Sequence, residues 1–461
     1  MTRFGPWEFM LDVDEVNYSR RELLAYSRRA ALPVVNLSSG TNHLPPPALL
    51  VQSGLRAAVD PECFHDYDGP AGHQLARVAV AAHENLLGAP DVELTDDNVV
   101  VTAGASGAMH LAARALREHL DEPAPEALLP VPTFPLAGAC LAHAGYAVRE
   151  VVTAARDRWL PTPAELGAAA GPRTRLVYVN TFNNPTGEHY SAAELAELVG
   201  WARDRGVHVL HDQVSSGVSL DRATPNLLAI AARHGYADGV ITVGSLSKSR
   251  AIPGFRSGWL VAGRRLAALC GRLNELTAPS SVSIAAPLVV LDRLLTGAIA
   301  DVPFGGAAGP GRLARLVDGF VCEVERGEPA GGACRRMAAT LAALLGRAEL
   351  LAHLCGWYAD LRDVLRRNVR LLDGRFARLV AGGTPWRGDF NTFVRLPALD
   401  GADYLPTTHR LFRDHGLQTL PGPAFGMRPA WWSERGYWLR LSFALPPDQW
   451  TEGLQRLEEL R

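Results

Sequence analysis

Cysteine is scarce in this 461-residue chain and nowhere clustered. The six cysteines (Cys63, Cys140, Cys270, Cys322, Cys334 and Cys355) form no CxxC pair, so neither a zinc site nor a disulfide framework is indicated. That usage fits a reducing cytoplasm. An excess of one charge is also missing: 46 Lys and Arg face 48 Asp and Glu, for a formal net charge of −2. Nothing electrostatic therefore favours a nucleic-acid partner or an anionic membrane. No apolar run reaches the ~20 residues that cross a bilayer. Residues 1–14 lack a basic segment followed by an apolar one, so no signal peptide is expected. Internal repeats of about 20–50 residues are absent as well, which excludes solenoids and propellers.

What is present is an ordinary globular composition, 48% hydrophobic and 20% charged. The length is too great for one small core, so a large α/β domain with a smaller companion is expected. From Asn98 onward, short apolar runs alternate with helical stretches. Strands are expected at 98–102, 127–131, 146–152, 175–180, 207–211, 239–244 and 258–262. Helices are expected between them, at 108–119, 136–143, 192–205 and 225–234, and capping boxes at Thr162-Pro163-Ala164-Glu165 and Ser191-Ala192-Ala193-Glu194 mark two starts. Such alternation implies crossover units and a mostly parallel sheet. Ligand sites on these sheets lie beyond the carboxyl ends of the strands. Ser106, Phe134, Asn184, Asp212 and Lys248 all fall at or just after strand ends.

Ahead of this pattern, residues 1–35 read as an arm with one helix near 20–31, and residues 36–47 as an irregular loop containing Gly40. A helix is expected at 73–87, ending at Gly88. Beyond the alternation, residues 297–335 are rich in Gly, Ala and Arg and read as an insertion over the surface, helical at 312–325. A long helical stretch then runs from about Cys334 to Val380, with breaks expected near Gly346 and Gly356. The tail, 386–461, reads as α+β: strands at 390–396, 417–420 and 437–443, helices at 404–414 and 447–460.

The most suggestive segment is Ser245-Leu246-Ser247-Lys248, followed eight residues later by Arg256. A lysine that forms an imine needs partial desolvation and a nearby cation to lower its pKa. An arginine beside it suits a phosphate, whose oxygens its planar fork can take in pairs. Taken singly, each candidate has a plain structural reading. Asp212 suits a helix N-cap, Phe134 a core position, Asn184 a turn, and Arg440 and Lys248 a solvated surface.

In order and spacing together, these residues resemble the class I/II aminotransferases, the fold-type I enzymes dependent on pyridoxal 5'-phosphate (PLP). The resemblance runs from about Asn36 to the C-terminus, outside the insertion. It implies a large PLP-binding domain at 36–295 with a mostly parallel seven-stranded sheet, an insertion at 296–350 and a small α+β domain at 351–461, to which the N-terminal segment contributes. It implies that Lys248 forms the Schiff base with PLP and moves the substrate's Cα proton, and that Asp212 pairs with the pyridine nitrogen. Asn184 is then the hydrogen-bond partner of the phenolic oxygen, and Phe134 the stacking platform. Ala105, Ser106, Ser245 and Arg256 would hold the phosphate. Tyr67 would reach across a homodimer interface. Arg440 would clamp the substrate's α-carboxylate, Asn184 would also contact substrate, and Gly40 lies in the loop that would close over it. One position departs from the family: Ser215 stands where a tyrosine is usual, three residues after the aspartate. With the insertion, this favours a specialised biosynthetic reaction. The resemblance leaves two reactions open: amino transfer, or elimination, replacement or cyclisation as in aminocyclopropane-carboxylate synthase. A transcriptional sensor built on the same fold needs a DNA-binding domain ahead of it, and only about 35 residues precede the resemblance.

Overall fold

The computed structural model describes residues 6–30, 32–59, 67–88, 90–120, 122–153, 158–216, 224–276, 283–300, 310–327, 332–384, 389–428 and 436–460. The connection at 277–281 and most of the glycine-rich stretch before Pro310 lie outside these residues.

A seven-stranded sheet organises the molecule. Its strands are β2 (Val99–Ala103), β3 (Glu126–Val131), β4 (Ala147–Val152), β5 (Thr174–Asn180), β6 (His208–Asp212), β7 (Val240–Ser245) and β8 (Ser257–Val261), in the order β2-β8-β7-β6-β5-β3-β4. Only β8 runs antiparallel to its neighbours. The central strands are buried on both faces, as their unbroken Val, Ile and Leu runs require. Two apolar clusters result, one on each face. Val177, Val209 and Val240 point to one, and Leu176, Leu210 and Ile241 to the other. The strand period of two thus divides neighbouring residues between the two faces. Both expected capping boxes form: the hydroxyls of Thr162 and Ser191 accept from the backbone N–H of Glu165 and Glu194.

The C-terminal part carries a three-stranded antiparallel sheet, in the order β11 (Leu420–Pro421), β12 (Trp438–Ser442) and β9 (Asn391–Arg395). The N-terminal segment joins it: β1 (Val35–Asn36) pairs in parallel with β10 (Leu417–Gln418).

Several elements differ from their sequence expectations. The arm holds two helices, Pro6–Asn17 and Arg20–Arg29. The first has no strong pattern of its own and is held by tertiary packing of Val13, Phe9 and Met10 against Trp159, Phe393 and Phe425. The expected break at Gly356 does not occur: one helix spans Ala348–Asp373. Its buried stripe of Leu350, Leu354, Tyr358, Leu361 and Leu365 outweighs the ~1 kcal/mol that a mid-helix glycine costs. The break at Gly346 does occur, ending the helix Ala333–Leu345. The strand expected at 417–420 is split at Thr419 into β10 and β11. Within 297–335, the helix Pro310–Gly327 packs on Gln74–Gly88 and Ala286–Ile299. It buries Leu313, Phe320 and Val324.

Candidate active site

A cleft opens at the carboxyl ends of β2, β3, β5, β6 and β7. It is lined by Gly40, Ala105, Ser106, Phe134, Asn184, Asp212, Ser215, Ser245, Lys248 and Arg256. Arg440 lies in the adjoining compartment, whose walls also include Gly40, Phe134, Asn184 and Lys248. The fold therefore gathers every candidate except Tyr67, which is fully exposed and lines neither space.

One end of the cleft is built for an anion. The helix Gly104–His119 begins there, so the free N–H groups of its first turn, including Ala105 and Ser106, face the space. Strand β8 presses against that turn: a Cβ on Gly258 would sit 2.4 Å from the Gly104 carbonyl carbon and 2.7 Å from the Ala105 nitrogen. Only glycine permits that approach. Ser245 caps the short helix Leu246–Ser249, its Oγ accepting from the Ser247 N–H at 2.9 Å. The same Oγ lies 2.7 Å from Ser247 Oγ and 2.9 Å from the Ser257 carbonyl. Arg256 completes this end, donating to the Ala103 carbonyl at 3.1 Å. It holds a left-handed backbone, φ 51° and ψ 34°, which is costly for a non-glycine residue and common where a functional side chain is aimed.

The short helix lifts Lys248 into the middle of the cleft, with Nζ 3.4 Å from Thr41 Oγ1. Burial pushes the Lys248 ammonium down to about 8, and the nearby Arg440 guanidinium adds to the shift. Asp212, at the end of β6, accepts from the Val214 N–H at 3.0 Å and from the Tyr178 hydroxyl at 3.0 Å. Burial raises its carboxyl, while those two donors and Lys248 hold it down. Tyr178 is two residues before the end of β5, the strand next to β6. Sequence reasoning missed it because no local signal marks a contact between neighbouring parallel strands. Ser215 lines the cleft at the position of the family tyrosine.

Arg440 projects from β12 and is almost fully buried. Its Nη1 donates to Asn184 Oδ1 at 2.6 Å, Nη2 donates to the Ser38 carbonyl, and the guanidinium lies 5.0 Å from the centre of the Phe425 ring. Its Nε is buried with no partner. Burial brings Arg440 down to about 10, opposed by Tyr18, Asp389 and Asp14. Gly40 makes room for it: at φ +59°, a Cβ there would stand 2.6 Å from Nη1. The Gly40 N–H donates to Ser442 Oγ at 3.1 Å, and that hydroxyl donates to Asn391 Oδ1 at 2.6 Å. Asn391 Nδ2 in turn donates to Asp389 at 3.1 Å. Asp389 is another residue the sequence did not reveal. Burial pushes its carboxyl up to about 6, against its hydrogen bonds and the pull of Arg440 and Lys248. Among the described residues, no group of three or more His, Cys, Asp or Glu could hold a metal ion.

Comparison with known proteins agrees with this geometry. A family model described as "Aminotransferase class I and II" matches residues 33–300. The LL-diaminopimelate aminotransferase of Desulforudis audaxviator is 25% identical over 95% of this chain and 92% of its own length. An aspartate aminotransferase of Streptomyces avermitilis is 27% identical over 51% of this chain. The chain spans about half, 55%, of that relative. Among solved structures, a Thermus thermophilus aspartate aminotransferase tetra mutant complexed with tryptophan superposes with a TM-score of 0.72. It covers 98% of this chain and 96% of its own at 21% identity, a likeness of fold. With a sheet of this topology and a family match over more than half its length, the chain belongs to the class I and II aminotransferases, enzymes of the fold-type I architecture.

Proposed function

We propose that this protein binds PLP and moves the amino group of an α-amino acid to a 2-oxo acid, with Lys248 as the catalytic amine. The observation that carries the reading is the convergence of Lys248, Asp212, Asn184 and Arg256 on one cleft with Arg440 beside it. The donor set suits PLP. Helix N–H groups, serine hydroxyls and Arg256 suit its phosphate, the flat face of Phe134 its ring, and the Asp212 carboxylate its pyridinium nitrogen. When bound, PLP supplies an electron sink for charge developed at the substrate's Cα.

The chain's own groups do the rest. Arg440 and Asn184 take the α-carboxylate, and the unpartnered Nε of Arg440 gives that carboxylate a buried donor. This fixes the direction in which Cα presents its proton. Lys248, brought down to about 8 by burial and by Arg440, accepts that proton as a neutral amine and returns it as an ammonium. Asp212 keeps the ring nitrogen protonated by its charge. The likeness to aminotransferases for aspartate and for LL-diaminopimelate supports an amino-acid substrate.

A second reading, elimination or cyclisation of the same activated amino acid in a specialised pathway, is favoured by Ser215. It lines the cleft where the family places a longer phenol. The two readings part in one experiment. Purified protein loaded with PLP is mixed with a panel of amino acids and followed by visible absorbance and by chromatography of the released cofactor. Amino transfer yields pyridoxamine phosphate. Consumption of an amino acid with the cofactor returned as PLP supports the second reading and sinks the first.

A further inference from the structure

The compartment beside Arg440 has a wall that the family match, which begins at residue 33, does not include. It comes from the N-terminal helix Pro6–Asn17. Met10, Asp14, Asn17 and the following Tyr18 recur at spacings of four, three and one, so they share one helical face, and all four line the space. Val13 and Val16, on the flank of that face, are buried in the body of the protein and hold the helix in place, while Asp12 and Glu15 on its far side are exposed. Thr419 and Ser38 close the compartment from the C-terminal part and from the Gly40 loop.

Three polar atoms of this lining have no partner, an amide oxygen that can only accept and two hydroxyls that can accept or donate. Asn17 spends its Nδ2 on the Thr419 carbonyl at 3.0 Å, which fixes its amide orientation and leaves Oδ1 without a donor. Asn17 Oδ1, Ser38 Oγ and Thr419 Oγ1 are all buried without a hydrogen-bond partner, on side chains 3%, 4% and 1% exposed. Asp14 is half-buried in the same lining; its backbone carbonyl accepts from the Tyr18 N–H at 3.0 Å, while its carboxylate makes no hydrogen bond or ion pair to another described residue and feels only the field of Arg440. Among the described residues that line the space, the cations are Lys248 and Arg440. The first is committed to the cofactor and the second to the α-carboxylate. Once a substrate's α-carboxylate neutralises Arg440, the negative charge of Asp14 stands unbalanced, and an acidic side chain entering the space would worsen that imbalance.

Resting on the amino-acid reading above, we propose that this compartment selects α-amino acids with a cationic side chain, with Asp14 as the specificity-determining residue. An ammonium brings three donors and a guanidinium five, and either suits a compartment lined by one carboxylate and by three residues whose buried oxygens have no partner.

The test uses the PLP-loaded full-length protein and reads the spectral half-reaction. L-Arginine is compared with its neutral isostere L-citrulline, L-lysine with L-norleucine, and L-glutamate serves as the acidic control. The expected result is that arginine or lysine reacts about 10- to 100-fold more efficiently than its neutral counterpart. In Asp14→Asn that ratio should collapse toward one, with a smaller change for the neutral acids. The arginine and lysine arms tell guanidinium from ammonium. Glutamate, citrulline or norleucine reacting as well as the cationic acids overturns the proposal. So does an equal loss for every substrate in Asp14→Asn, which marks a structural role only. Neutral or acidic acids reacting while arginine and lysine do not defeats this inference alone. Failure of every amino acid defeats the amino-transfer reading with it.

Discussion

Burial and the Arg440 guanidinium together bring Lys248 down to about 8, so below that pH its amine carries a proton and cannot attack a carbonyl. The rate at which PLP attaches to the apo-protein should therefore rise about tenfold per pH unit up to about 8, then level off. Stopped-flow absorbance checks this, and a flat profile between about pH 6 and 9 contradicts it. The sign of the linked stability follows from the same shift. Between about 8 and the ordinary lysine value, the unfolded chain holds a proton that the folded chain has released. Apo-protein stability should thus gain from Lys248 as pH rises through that window. Lys248→Met removes that contribution, and the difference between the two melting curves across pH measures it. Lys248 itself was legible in the sequence, as a lysine in a run of small residues after an apolar strand. Its neighbour Asp389 was not. A lone acid before an expected strand carries no sign that Arg440 and Lys248 will lie near it.

At the scale of elements, the Gly40 loop decides whether β12 can present Arg440. Gly40→Ala forces a Cβ into the guanidinium at a positive φ, where alanine is disfavoured by about 1 kcal/mol. The stability loss should stay near that size, because the Gly40 N–H keeps its bond to Ser442 Oγ and the guanidinium end of Arg440 can shift away. The larger effect falls on the substrate: kcat/KM should drop at least about tenfold as the carboxylate donors shift. Steady-state kinetics beside a melting curve separates the two, and unchanged kinetics would show that Arg440 does not hold substrate. The strand ends were readable because buried parallel strands appear as apolar runs that stop at small or polar residues. The helix Pro6–Asn17 and the unbroken helix Ala348–Asp373 were harder to read. Both depend on side chains far away in sequence, such as Trp159 and Phe425 for the first.

Across the whole molecule, the turn that bears Lys248 is tied to distant helices through Arg250. This residue is 0% exposed and forms an ion pair with Asp292, which also takes Arg293 at 2.6 Å. The Arg250 guanidinium lies 5.0 Å from the Tyr358 ring centre on the long C-terminal helix. Asp292→Ala leaves two arginines without their shared carboxylate and should cost about 3–5 kcal/mol, read as a lower denaturant midpoint. A loss under about 1 kcal/mol would mean that water or another group compensates the charges. Tyr67 stands fully exposed and outside the cleft, so a role for it needs a second copy. Light scattering should then report a dimer. Mixing inactive Lys248→Ala with a weakened Tyr67→Ala protein should restore activity, because hybrid dimers regain one intact site. A fully active monomer contradicts this. The mostly parallel sheet and its strand ends followed from local patterns, and the resemblance to the family named the residues that gather at the cleft; the strand order did not show in the sequence. Subunit arrangement and the N-terminal wall depend on long-range packing that no motif encodes.

The central claim is that Lys248 is the amine that carries PLP. Borohydride reduction of the PLP-loaded protein, followed by peptide mass spectrometry, tests it most directly. The account predicts a reduced pyridoxyl phosphate adduct on the peptide containing Lys248, absent from Lys248→Ala. An adduct on another lysine, or none in the wild type, would contradict it.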